Sequence, residues 1–350
     1  MRKLASIRRI DIIKPIPGAD AIECATLGGW PVVIKKNEFA VGDLAVYIEI
    51  DSWVPTDLAP FLSKGKEPNI YNDIKGERLR SVRLRGQLSQ GLLLPMGILE
   101  NYARGDDGDG NMTWYDPHDF YQEGEDVTEV LGIVKWEPII PACLAGEVKG
   151  AWPSHVQKTD QERAQNLGAE WDTLKTYTYE VTEKLEGSSM TAGIVNDEFT
   201  VCSRNLNLRE TATNSLWAQA RRYNIEARMR ELGLANMVVQ GEIVGEGIQG
   251  NHYGIKGQDF YVFDILDTSA GQYLLPADRR AMCVKLGLKH VPVLFDEFTI
   301  ISDIEGVVEC ADGPSLLNPA KLREGIVFKR VDGPEHFKAV SNKYLIKTGN

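Results

Sequence analysis

Lys184-Leu185-Glu186-Gly187-Ser188-Ser189 follows directly on an extended run, Thr176 to Thr182. A strand that ends in lysine and then turns tightly presents an amine at the floor of a cleft. Gly187 lets the backbone turn there without a Cβ clash. Taken alone the tetrad also reads as an exposed Lys/Glu surface turn, so the decision rests on the elements that follow it.

Those elements accumulate chemistry in order. Met190 to Val195 and Phe199 to Cys202 read as a hairpin turning at Asn196-Asp197. It leads into Ser203-Arg204-Asn205, where Arg204 offers a planar donor fork suited to a ribose or a phosphate, or is a plain surface arginine. Ala212 to about Leu232 has helical periodicity, with Leu216, Ala220, Tyr223, Ile225 and Met229 on one side and Gly233 as the stop. Met237 to Gly245 is a strand with Glu242 set among valine and isoleucine, which is costly unless the carboxylate is paired or coordinating. Asp259 to Ile265 alternates, Tyr261 and Phe263 on one face and Phe260 and Val262 on the other. Glu324 to Arg330 opens on another awkward carboxylate, and His336 to Val340 follows, with Lys343 and Lys347 beyond it. Carboxylates at Glu186, Glu242 and Glu324 beside lysines, with no Cys/His set and no His-based triad, suggest a magnesium–polyphosphate site; oxygen donors select Mg²⁺ or Mn²⁺ over zinc.

The first part of the chain reads differently. From Ala5 to about Pro95 short β-branched and aromatic runs, such as Gly29 to Ile34 and Leu44 to Ile50, alternate with turns at Pro15 to Asp20 and Gly42-Asp43. Gly91 to Pro95 is a closing strand, and the pattern suggests a small barrel of the OB type. Arg78 to Arg85 alternates and carries Arg78, Arg80, Arg83 and Arg85 inside a basic stretch that begins at Lys64. That stretch is either a phosphate-holding patch or a solvated strand face. Asp106 to Asn111 looks like a calcium loop but lacks the required glycine and the final glutamate, so it reads as a solvated loop. The stretch onward to about Tyr177, broken by Pro138, Pro141 and Pro153, reads as a linker with some ordered pieces.

Length and composition bound these readings. The 350 residues are 43% hydrophobic and 25% charged, which fits a globular chain of about two domains. A net charge of -11 argues against a general nucleic-acid binder, leaving only the local basic stretch. No apolar run is long enough for a membrane span, and the N-terminus shows no signal-peptide pattern. The five cysteines are scattered without a CxxC pair, so neither zinc nor a disulfide framework is indicated and a reducing cytoplasm fits. The five histidines have no partner pattern and read as structural or surface residues.

In this order, Lys184-Leu185-Glu186-Gly187, Ser203-Arg204-Asn205, Gly241-Glu242, Phe260 to Asp264, Glu324 to Lys329 and Phe337-Lys338 resemble the motifs of the covalent nucleotidyltransferases, the ATP-dependent DNA and RNA ligases and mRNA capping enzymes. The barrel precedes the transferase core instead of following it. With Arg83 to Gly91, that order is similar to the RNA ligases of the Deinococcus/Naegleria type, over nearly the whole chain. The resemblance implies an α+β chain: an OB-type β-barrel over 1–130, a linker over 131–175, and an ATP-grasp-like nucleotidyltransferase domain of antiparallel sheets with flanking helices over 176–350.

It also implies the chemistry. Lys184 would attack the α-phosphorus of ATP to form lysyl-AMP. A free lysine, with a pKa near ~10.4, must first lose its proton, helped by a divalent metal and by Lys338. Glu186, Glu242 and Glu324 would hold Mg²⁺ or Mn²⁺, and Lys329 and Lys338 the α-phosphate. Arg204 and Glu242 would meet the ribose, Phe263 or else Tyr261 would stack on adenine, and Glu183 and Leu185 would complete the nucleotide site. The AMP then caps a 5′-phosphate end, and a 3′-OH seals the strand. In the last motif Lys338 is followed two residues on by Val340 where many relatives have a second lysine, so that role falls to Lys329 or Lys343, or to none. Arg78, Arg80, Arg83 and Arg85 would contact nucleic acid. The implied partner is RNA, or an RNA-containing nicked duplex, for a cytoplasmic monomer. A DNA ligase, a GTP-using capping enzyme, and an RNA-binding protein with an inactive core are the alternatives.

Overall fold

The computed structural model describes residues 3–106, 112–136, 147–153, 156–195 and 197–348. Most of the acidic loop (107–111), Pro138, Pro141, Cys143, His155 and Asn196 lie outside the described residues. The chain divides into two compact units, Met1–Ile139 with Leu345–Asn350, and Ile140–Tyr344. Among the described residues no helix is long and apolar enough to cross a membrane.

The first unit is built of short antiparallel strands. Leu44–Ile48 pairs with Ala5–Arg9 on one side and Leu92–Pro95 on the other. A second sheet is the meander Ile12–Pro15, Ile22–Leu27 and Trp30–Lys35. A third orders Val134–Lys135, Ser52–Pro55, Ile74–Arg78 and Asn69–Tyr71. Ile7, Val46, Ile48, Val54, Leu94 and Val127 meet in its core, as the β-branched runs require.

The run from Arg78 to Arg85 is not one strand. Ile74–Arg78 ends, and Val82–Leu84 then forms a separate hairpin with Gln87–Ser89. Arg85 and Gly86 both take positive φ, 49° and 83°, the two-residue turn that matches strand twist. Val82, Arg83, Leu84 and Arg85 are all exposed, as is Arg80. Arg78 differs: it pairs with Asp51 at 2.7 Å and lies 3.9 Å over the Trp136 ring.

The second unit has two sheets. The larger runs Val148–Ala151, Leu206–Leu208, Glu198–Cys202, Ser188–Val195, Met237–Gly245, Gln258–Asp267 and Gln272–Tyr273, with Lys289–His290 added in parallel. The smaller runs Val293–Thr299, Thr178–Lys184, Gly325–Arg330 and His336–Val340. Helices Ser215–Arg222, Ile225–Glu231 and Pro276–Leu286 send Leu216, Ile225, Met229 and Leu286 into a core with Val239, Phe260 and Val262. The helix expected over 212–232 is two helices, because Asn224 takes φ 50° between them. Asn214 caps the first by accepting from the amides of Leu216 and Trp217.

The stretch 131–175 is divided between the units. Val134–Lys135 pairs with Ser52–Pro55 in the first. Val148–Ala151 joins the larger sheet of the second, and Trp171 and Leu174 enter its other core with Tyr179 and Phe328. A polar, proline-broken composition concealed these pieces because each is short.

Candidate active site

The smaller sheet has two chemically distinct faces. Register pairs Lys184 with Gly325, Thr182 with Val327 and Glu180 with Lys329, and it pairs Val327 with Lys338. Directly paired residues point to one side, so Glu180, Thr182, Lys184, Lys329 and Lys338 share a face. Tyr179, Val181, Ile326, Phe328, Phe337 and Ala339 take the other and form the core. Alternation therefore carries the amine of Lys184, at the end of its strand, away from the oil.

Lys184 Nζ donates to Glu324 Oε1 in a close ion pair. Its side chain keeps 27% exposure, so a ligand can reach the amine. Glu242 stands near both and is half-buried. Desolvation pushes its carboxyl up to about 8; Lys184 and Arg204 oppose the rise, and Glu324 and Glu186 add to it. Arg204 is exposed and pairs with Asp160 at 2.8 Å.

Gly187 matters for a reason other than a turn: its φ is not left-handed. A Cβ there would lie 2.2 Å from the Ile243 carbonyl oxygen and 2.8 Å from Glu242 Cγ. Its hydrogen lets the segment after the lysine cross directly over the strand bearing Glu242. Beside this crossing Leu185, Val244, Tyr253 and Val291 form an apolar patch with Tyr261 and Phe263 packed against it.

The other expected residues are held by further protein groups. Glu183, one residue from Lys184, faces the opposite side; its Oε2 accepts the Leu316 amide at 2.7 Å, and burial raises its pKa. Lys329 keeps only 8% side-chain exposure. Its amine pairs closely with Asp264 and donates to the Phe263 carbonyl at 2.7 Å, tying the smaller sheet to the larger. Burial lowers its pKa to about 8. Arg279, wholly buried, reaches both Asp264 and Glu180. Lys338 is half-buried on the Lys184 face, and its backbone amide donates to Glu162 O.

Glu186 is held by residues that sequence reasoning passed over. Tyr253 OH accepts its amide at 2.6 Å, and His252 Nδ1 lies 3.3 Å from its Oε2. His252 was invisible in sequence because its partner is 66 positions away and no metal-like spacing marks it.

The donor set fits a divalent cation. Glu186, Glu242 and Glu324 are hard oxygen donors, their mutual repulsion is evident in Glu242, and Lys184 and Arg204 are its compensating cations. Among the described residues no three such groups are already gathered around one point. The carboxylates would supply part of a shell that water and phosphate oxygens complete, as Mg²⁺ prefers.

A reachable strand-end amine, an acid-lined floor and adjacent half-buried aromatics on two largely antiparallel sheets define a nucleotidyltransferase. The comparisons carry this further. An RNA ligase family model matches residues 177–347 and an OB-fold domain model matches residues 4–96. No curated protein sequence matches the chain. A mutant of Naegleria gruberi RNA ligase solved with ATP and Mn is 47% identical, covers 100% of both chains and superposes with a TM-score of 0.87. The same organism's RNA ligase with PPi is 47% identical over 99% of this chain and 98% of that one, at 0.86. An apo mutant gives 47%, 98%, 97% and 0.86. The chain belongs to the RNA ligase family and is an enzyme with an N-terminal OB-fold domain.

Proposed function

We propose that this RNA ligase uses ATP to join a 3′-OH to a 5′-phosphate, by way of AMP carried on Lys184 and then on the 5′ end, with RNA required on the 3′-OH side. The observation that carries the reading is the Lys184 amine at a strand end, ion-paired to Glu324 and beside the half-buried Glu242.

The balance of the first step is simple. The unprotonated Nζ forms a bond to the α-phosphorus, the bond to the bridging oxygen breaks, and pyrophosphate leaves. Phosphoryl chemistry of this kind needs positioning and charge neutralisation more than covalent help from the protein. Glu324 orients the amine and faces its proton. Phe263, or else Tyr261, half-buried over the core of Leu185, Val244 and Val291, offers a ring face for adenine, and Arg204 a donor fork for the ribose. Lys338 shares the Lys184 face and is placed for the α-phosphate. Lys329 contributes by fixing Phe263 and Asp264. Glu186, Glu242 and Glu324 would hold Mg²⁺ or Mn²⁺, which neutralises phosphate charge when bound. The Mn-containing structures of the Naegleria enzyme support that choice.

The exposed hairpin with Arg83 and Arg85, and Arg80 before it, supplies cations for the strand backbone on a chain of net charge -11. Arg78, committed to Asp51 and Trp136, serves by holding that sheet. The described cysteines are all free thiols, which fits a reducing compartment such as the cytoplasm.

The test is to incubate the protein with α-³²P-ATP and magnesium and look for label retained through denaturation. Label on the wild type and none on Lys184→Ala is the expected result. Absence of label, or label on the alanine variant, overturns the proposal. A nicked duplex with ribose or deoxyribose at the 3′-OH end then tests the RNA requirement. GTP in place of ATP tests the capping alternative.

A further inference from the structure

Strands Met237–Gly245 and Gln258–Asp267 are joined by residues 246–257, a segment that turns repeatedly: Gly247, Gln249, Gly250, Asn251, Gly254 and Gly257 all take positive φ. Asn251 closes it on itself, its side chain donating to and accepting from the Ile255 backbone at 3.0 Å each. This ring presents His252 and Tyr253 to the acid that follows the nucleophile.

His252 has both ring nitrogens engaged. Nδ1 lies 3.3 Å from Glu186 Oε2 and Nε2 lies 2.7 Å from the Leu322 carbonyl oxygen. Tyr253 and Tyr344 pack edge-on against the imidazole, with centroids 4.9 and 5.6 Å away. The Tyr344 hydroxyl is also bonded to Glu186. Among the described residues no hydrogen bond reaches the buried Glu186 Oε2, and His252 Nδ1 faces it at 3.3 Å. Asn318 Nδ2 donates to the Tyr253 carbonyl at 2.8 Å and fixes the tip of the segment.

We propose that His252 is a positioning residue: Nδ1 holds the Glu186 carboxylate in the orientation from which it ligates a divalent cation beside Lys184, while the Leu322 carbonyl fixes the ring. This rests on the reading above, in which Glu186 serves that cation. A second-layer contact of this kind sets ligand orientation, and its loss weakens metal binding without removing a ligand.

The two nitrogens can be separated by substitution. The amide nitrogen of asparagine falls near Nδ1 and that of glutamine near Nε2. The probe is Mn²⁺ alone, titrated into the full-length nucleotide-free protein and read from the loss of its free-ion EPR signal. The dissociation constant is expected to rise about tenfold in His252→Ala and His252→Gln and to stay within about threefold of wild type in His252→Asn. In the labelling assay the half-saturating cation concentration should move by the same factor while the plateau rate holds. A wild type that takes up no Mn²⁺, an unchanged constant in His252→Ala, or His252→Gln matching His252→Asn overturns the inference. If the alanine variant melts far below wild type, the asparagine–glutamine comparison decides alone. Failure of the wild type to form labelled lysine counts against the parent reading instead, and the Mn²⁺ titration still settles the role of His252.

Discussion

Replacing Glu242 with glutamine keeps the shape of the side chain and removes one titration. Burial moves this carboxyl from its ordinary 4.5 to about 8. A group whose pKa is higher folded than unfolded binds its proton more tightly in the native state. Its stabilising contribution is complete below about pH 4.5 and is lost as pH rises through about 8. One proton is worth at most about 1.4 kcal/mol per pH unit. Allowing for partial solvent access, the wild type should lose about 2 kcal/mol relative to Glu242→Gln between about pH 5.5 and 7.5. The assay is guanidinium unfolding of both proteins in chelator at several pH values across that interval. Mg²⁺ added at the upper end should stabilise the wild type more than the variant, because only the wild type gains a carboxylate for it. A stability difference that does not change with pH would refute the burial argument. Equal Mg²⁺ stabilisation of the two proteins would remove Glu242 from the cation site.

Gly187→Ala places a carbon 2.2 Å from the Ile243 carbonyl oxygen, so the crossing beside Lys184 must open. Expected are a cost of about 1–3 kcal/mol in thermal unfolding and a fall in lysine labelling; normal labelling would show that the crossing is not needed. Lys329→Ala leaves the buried Asp264 with the longer Arg279 contact at 3.7 Å in place of its close partner, a loss of about 3 kcal/mol, whereas Lys329→Met with Asp264→Leu should cost far less; similar melting temperatures for the two would argue that the pair is not the issue. Arg83→Ala with Arg85→Ala should lower the slope of log affinity for a nicked duplex against log salt by about 1–2 while labelling of Lys184 is unchanged; an unaltered slope would place the backbone contacts elsewhere.

Much of the site was legible because its residues carry local signatures. A lysine at a strand end, acids set among β-branched residues, and alternating aromatics are costly or periodic features that a chain displays before it folds. Alternation alone separated Phe260 and Val262 from Tyr261 and Phe263; the structure sends the first pair into the main core and leaves the second half-buried. The short-strand pattern of the first part likewise announced a small β-module. Local patterns failed where an element's fate depended on what packs against it. Val82 and Leu84 alternate like a core strand yet stand 44% and 43% exposed, because among the described residues no further strand joins their hairpin. Asn224 broke a helix that periodicity would have continued.

The sequence by itself determined which residues can do chemistry and in what order they occur, since residue type and short-range periodicity are properties of the chain. Only the tertiary structure decided which of them meet. It gave Lys329 to Asp264, gave Glu183 the Leu316 amide, and brought His252 to Glu186. Those pairings depend on sheet register and on close backbone crossings such as the one at Gly187, where a contact is fixed by what folds between two segments and not by their spacing.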